Sequence, residues 1–196
     1  MTFKRLDDKN TVAVDGVYFE TLMPERVIPI PTIKPRGYTS VQLGIRITNH
    51  TSNRLRFSFF NAFFMLPELV TPDGQLLKGG YECDRATTPC ESDFLLAMPG
   101  EAVTFLPKTI LYWHQNPKKK RERKLVLSMA FKDSEYWIFQ YLNPVTYRLR
   151  FTYKQSRIEM ERFYNSWIEP SILKEVWTGE VITPPVEFCM IEPQPK

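Results

Sequence analysis

Glycine is scarce in this sequence, 8 among 196 residues, and nowhere do glycines cluster into a phosphate-cradling loop. Nucleotide-binding architectures built on such loops are therefore not expected. Histidine is scarcer still, with His50 and His114 alone. Three cysteines, Cys83, Cys90 and Cys189, make an odd number without metal-ligand spacing, since structural zinc sites show closely spaced ligand pairs. A cysteine nucleophile would need Cys83 or Cys90 within hydrogen-bond reach of one of the two histidines, and nothing in the spacing favours that. The carboxylates of "DGQLLKGGYECD" and "KDSEY" lack calcium-loop spacing. The expectation is a protein without catalytic residues, metal or organic cofactor. No stretch approaches the roughly 20 apolar residues of a membrane-spanning helix. The opening "MTFKRLDDKNTVAV" also lacks the apolar run of a secretory signal. Reduced thiols in the cytoplasm are the expected consequence, with no membrane contact. The Asn49-His50-Thr51 sequon would be idle there, because glycosylation requires secretion.

What the chain does hold is aromatic residues, at 14%, and 16 prolines. Together they favour strands and rigid loops over helices. The Pro-rich segment 24–37, preceded by a short strand in "TVAVDGVYFE" with a bend at Asp15-Gly16, reads as an extended arm or edge strand. Residues 1–37 are accordingly set apart as an N-terminal arm, and 38–196 as one β domain. Period-two alternation is clear in "VQLGIRIT", where Val41, Leu43, Ile45 and Ile47 share a face, and in "RLRFSFF". "PELVTPDGQLL" predicts a hairpin turning at Pro72-Asp73-Gly74. "GGYECDRATTPCES" has no periodicity and reads as a loop. "AVTFLPKTILYW" reads as a strand with an edge position or bulge at Pro107. "KLVLSMAF", "EYWIFQYL", "TYRLRFTY" and a last strand in "GEVITPPVEFCMI" complete the set. One segment departs from the pattern: Met160, Phe163, Tyr164, Trp167 and Ile168 recur at helical spacing. A helix over about 157–168, capped by Ser156 and ended by Pro170, is predicted between the last two strands.

So many short strands separated by turns point to an all-β sandwich or barrel. In "LNPVTYRLRFTY", Leu142, Pro144 and Tyr147 stand directly before an alternating strand. This run resembles the tyrosine corner of immunoglobulin-like and fibronectin-type-III-like sandwiches. The resemblance implies a structural part for all three residues, with the Tyr147 hydroxyl bonding back to backbone at the corner. It implies an antiparallel immunoglobulin-like β-sandwich, and it carries no activity, because such folds host unrelated functions.

Two surfaces remain as functional candidates. Six cations, Lys118, Lys119, Lys120, Arg121, Arg123 and Lys124, together with Glu122, give a tract of net charge +5 in a chain of +4, so the rest is near neutral. The tract reads first as a solvated bend between strands, second as a polyanion contact, and third as a nuclear import address. Arg54, Arg56, Arg148 and Arg150, with Lys154 at the edge, would extend the polyanion surface if their strands were neighbours in one sheet. Tyr112 and Trp113 would then serve as stacking platforms for single-stranded nucleic acid. The leading expectation is different: a protein-interaction or self-association module presenting aromatic side chains. In "FFNAFFMLPEL", Phe60, Phe63, Phe64 and Met65 cannot all face one core by alternation, so either some are exposed or the N-terminal arm covers them. Phe63, Phe64, Phe163 and Trp167 are the candidate contact residues.

Overall fold

In the computed structural model, residues 10–33, 37–85, 87–115 and 123–192 are described, without the side chains of Asp133 and Phe163. The chain opens with a hairpin of β1 (Thr11–Val14) and β2 (Val17–Leu22). Its two-residue turn needs positive φ at both Asp15 (49°) and Gly16 (77°), the geometry that suits the natural twist of a hairpin. β3 (Val27–Pro29) and β4 (Tyr38–Val41) follow, then β5 (Gly44–Asn49) and β6 (Leu55–Ser58). A short 3-10 turn at Ala62–Phe64 leads into β7 (Met65–Val70), which pairs with β8 (Leu76–Leu77) across the predicted hairpin turn. Next come β9 (Gly80–Cys83), β10 (Phe94–Ala97), β11 (Ala102–Phe105) and β12 (Lys108–Gln115). The remaining strands are β13 (Arg123–Phe131), β14 (Glu135–Leu142), β15 (Thr146–Gln155), β16 (Gly179–Ile182) and β17 (Val186–Ile191). Helices α1 (Arg157–Tyr164) and α2 (Pro170–Glu175) lie between β15 and β16.

The protein is mainly β with antiparallel sheets. One sheet runs β1-β2-β5-β11, another β4-β12-β13-β14-β9, and a third β3-β17-β15-β7-β8 with β16 also on β15; β6 and β10 form a separate pair. Of the strand pairs among the described residues, only β3–β17 is parallel. The Pro-rich segment thus supplies an edge strand, where a missing N–H costs no ladder bond.

Two expected continuous strands are each split between sheets. "VQLGIRIT" becomes the end of β4, bonded to β12, and then β5, bonded to β2 and β11. "AVTFLPKTILYW" is likewise split into β11 and β12, because Pro107 cannot donate a ladder bond at the crossing. Both chains change sheets side by side. A Cβ on Gly44 would sit 2.0 Å from the Phe105 carbonyl oxygen, so only glycine admits this approach. The predicted last strand is also two, interrupted by Pro184 and Pro185. Thr183 repairs the gap: its Oγ1 accepts the Phe151 N–H at 2.9 Å, and its own N–H donates to the Phe151 carbonyl at 2.8 Å. The aperiodic "GGYECDRATTPCES" contains an edge strand, β9, whose mostly exposed residues leave no alternation to read.

The predicted single helix is two. α1 ends at Tyr164, and Trp167 and Ile168 both donate to the Tyr164 carbonyl at 2.9 Å. Pro170 does not end a helix but opens α2 at its first turn, where a missing N–H is an orphan in any case. Ser156 precedes α1 without a side-chain capping bond.

Apolar residues of the three sheets and of β6–β10 merge into one core, with Tyr153, Phe19, Phe57, Phe131, Phe139 and Phe151 among its largest members. A second, smaller cluster lies under the helices: Phe60, Phe64 and Phe94 pack with Met160, Tyr164 and Ile168, then with Ile172, Leu173 and Val176.

Candidate functional site

The second cluster opens at the surface as a cleft of about 530 Å³. Three segments build it: the turn at 60–64, helix α1 with Trp167 beyond it, and the loop at Thr87–Pro89. The turn is fixed by short bonds. Asn61 accepts the Phe63 N–H on its side-chain oxygen at 2.8 Å and the Phe64 N–H on its carbonyl at 3.0 Å. β14 holds the turn from below, as the Glu135 carboxylate accepts the Ala62 N–H at 2.7 Å and the Trp137 indole donates to the Ala62 carbonyl at 2.9 Å. In this geometry successive side chains point apart. Phe64 goes inward and is buried, while Phe63 stays 48% exposed beside Tyr81, centroids 4.4 Å apart.

Tyr164 forms the cleft's inner wall. Its ring meets Phe60 at 5.7 Å, Phe64 at 6.1 Å and Phe94 at 5.9 Å, each at a steep angle, the edge-to-face arrangement aromatic quadrupoles prefer. Burial holds its phenol well above the usual tyrosine range, and the negative charges of Glu135, Asp93 and Glu159 push the same way. Arg157 locks the two helices together by donating to the Leu173 carbonyl at 2.9 Å, at the end of α2. Trp167, in the turn between the helices, is left 60% exposed on the cleft. At the rim Lys154 pairs with Glu180 at 3.0 Å, and Glu159 lies on α1.

One further residue ties the floor to the neighbouring loop. Lys132 has a positive φ of 33°, its ammonium lies 4.6 Å from the Phe60 ring centroid, and it donates to the Asp93 carboxylate and to the Thr88 carbonyl at 3.2 Å. Neither this residue nor the cleft it braces was visible as a pattern in the sequence. The only trace was the excess of aromatics in "FFNAFFMLPEL".

The candidate contact residues therefore separate. Phe63 and Trp167 flank the cleft and are exposed. Phe64 does not qualify, because it is buried in the second cluster, against Tyr164 of α1. The side chain of Phe163 lies outside the described residues.

The arginine surface does not assemble as expected. Arg56 belongs to the strand that pairs with β10, with Arg54 just before it, whereas Arg148 and Arg150 lie on β15 beside β7 and β17. Carboxylates meet three of the four. Arg54 and Arg56 both reach Glu175, at 2.5 and 3.2 Å, and Arg56 also reaches Glu91 at 3.3 Å. Arg150 meets Glu68 at 2.5 Å, and Arg148 stands opposite Glu187 in the ladder. Trp113 is tied down as well, its indole donating to the Pro31 carbonyl at 2.9 Å, and Tyr112 is half-buried. Lys118, Lys119, Lys120 and Arg121 lie outside the described residues. Arg123 and Lys124 begin β13, where Lys124 bonds the Gln140 side chain and lies 5.3 Å from the Tyr141 ring.

The corner residues and the thiols complete the account. Tyr147 accepts the Asn143 N–H at 2.9 Å and donates to the Asn143 carbonyl at 3.3 Å, while Leu142 is buried and Pro144 exposed. Cys83 donates to the Arg85 carbonyl at 3.4 Å, and Cys90 lies 3.1 Å from the Ser92 hydroxyl and 3.3 Å from the Asp93 carboxylate. His50 stacks edge-on against Tyr18 at 4.6 Å. Asn49 is wholly buried, its amide donating to the carbonyls of Asn53 at 2.7 Å and Ala97 at 3.0 Å, so the sequon is a structural tie. No helix among the described residues is long and apolar enough to cross a membrane. No protein family, curated protein or solved structure matches this chain.

Proposed function

We propose that this protein is a non-enzymatic interaction module and that the aromatic cleft is its contact surface. The observation that carries the proposal is the exposure of Phe63 and Trp167 on either side of a formed cleft, each held there by backbone bonds of its own turn. Aromatic side chains fixed at a surface cost little entropy on binding, and they are enriched among residues that dominate interface energies. A polyanion contact through Lys118–Lys124 is the weaker reading, since carboxylates neutralise the arginines that would have widened it. The immunoglobulin-like arrangement belongs to this proposal too, supported by the Tyr147 bond back to Asn143. Three free thiols support a cytoplasmic setting.

The test is capture of partners, together with sedimentation of the purified chain, for wild type beside Phe63→Asp and Trp167→Asp. Both variants are expected to fold and to lose capture or self-association. Unchanged capture and unchanged sedimentation in both would remove the cleft from the function.

A further inference from the structure

Resting on the reading of the cleft as a contact surface, we propose that its occupant is a basic side chain, lysine or arginine, presented by an apolar segment of a partner protein. Three observations converge on a cation. The walls carry four aromatic side chains, Phe60, Phe63, Tyr164 and Trp167, and the quadrupole of an aromatic face attracts positive charge. The cluster already seats one ammonium, that of Lys132, 4.6 Å from the Phe60 centroid. The charges around the cleft also favour a cation. Lys154, the cation among the lining residues, is closed off by Glu180 at 3.0 Å, and Lys132 is engaged by Asp93. On the other side of the balance stand Glu159 at the rim, within electrostatic reach of Lys154 as well as of the Tyr164 phenol, and Glu135 behind the turn, where it accepts the Ala62 N–H.

Other ligand classes fit this balance poorly. An anion would approach Glu159 and ring faces of the same sign. A purely apolar group would meet the rings but make no use of the exposed Glu159 carboxylate at the rim. A lysine or arginine uses both features at once: its methylene stem lies along Phe63 and Trp167, and its head reaches Glu159 at the rim. The cleft volume of about 530 Å³ takes such a side chain together with its flanking residues. The flanks would rest on the exposed Phe63 and Ile158.

The experiment is a calorimetric titration of the full chain with three capped peptides that differ only at a central position between leucines: lysine, norleucine or glutamate. Hexyltrimethylammonium serves as a fourth probe. The lysine peptide is expected to bind about tenfold more tightly than the norleucine peptide, and the glutamate peptide more weakly than either. Glu159→Gln should erase most of that preference while leaving norleucine binding unchanged, and Trp167→Ala should weaken lysine and norleucine peptides alike. Equal or tighter binding of norleucine overturns the cation, and so does absence of binding by every peptide. Tighter binding of hexyltrimethylammonium than of the lysine peptide overturns the partner segment in favour of a small organic cation. None of these failures touches the contact-surface reading, which stands or falls on capture by Trp167→Asp and Phe63→Asp.

Discussion

The main core and the cluster under the helices are built from the same aromatic residues but held by different means. Tyr153, in the main core, is wholly enclosed and donates its hydroxyl to the Ser58 carbonyl at 3.2 Å, where the Gln155 amide also arrives at 3.1 Å. Buried polar ties of this kind recur there: Asn49 joins the turn at Asn53 to the end of β10, and Thr183 bridges β15 and lies 2.6 Å from the Thr21 hydroxyl. Tyr164, in the second cluster, meets Phe60, Phe64 and Phe94 through ring edges. Directional bonds specify one arrangement, whereas ring contacts tolerate sliding. The contact surface proposed above would sit over the region whose packing rests more on ring contacts.

That contrast can be broken most directly by deletion. Phe151→Ala in the main core should cost about 3–5 kcal/mol in urea unfolding, against about 2–3 kcal/mol for Met160→Ala in the second cluster. Met160→Ala should also speed hydrogen exchange in α1 while leaving β15 protected. Equal costs, with exchange accelerated everywhere, would make the two regions one cooperative unit. Asn49→Ala is expected to cost about 2–3 kcal/mol by the same measurement, because it leaves buried carbonyls without donors. A loss below about 0.5 kcal/mol, the range of an ordinary surface change, would show that the ties are ornamental.

A pH experiment tests the burial of both tyrosines. Burial holds both phenols above the ordinary value of 10.0, so the native state keeps protons that the unfolded chain releases. The stability they contribute is therefore complete below pH 10 and falls as pH rises beyond it, by about 1.4 kcal/mol per pH unit for each such group. Tyr153→Phe and Tyr164→Phe should each flatten that decline to a similar extent, and a decline unchanged in either variant would show that its phenol is not the one withheld from ionisation. The smallest effect expected is that of Tyr147→Phe, about 1 kcal/mol, from the loss of the hydroxyl's tie to Asn143. No change in unfolding would remove the structural part given to that corner.

The sequence made the strands legible where one face is buried and the other is not. Val41, Leu43, Ile45 and Ile47 are all inward, as their alternation requires, and the Asp73-Gly74 turn lies in the predicted hairpin. It failed at β9, an edge strand without a buried face, and at Pro170, whose chemistry suits the start of a helix as well as the stretch beyond one. Of the candidate surface, Phe63 could be singled out because strand alternation did not place it in one core and Trp167 from its helical spacing, but Phe64 could not be distinguished from Phe63.

Local chemistry alone determined the β class, the turns and the core faces, because periodicity and the special backbone needs of Gly, Pro and Asn act over a few residues. Only the tertiary structure decided where strands change sheets, which carboxylates meet Arg54, Arg56 and Arg150, and that Lys132 lies over Phe60. Those contacts join residues far apart in the chain, such as Arg56 with Glu175. No spacing rule reaches across that distance, because the contact exists only after the sheets and helices have packed.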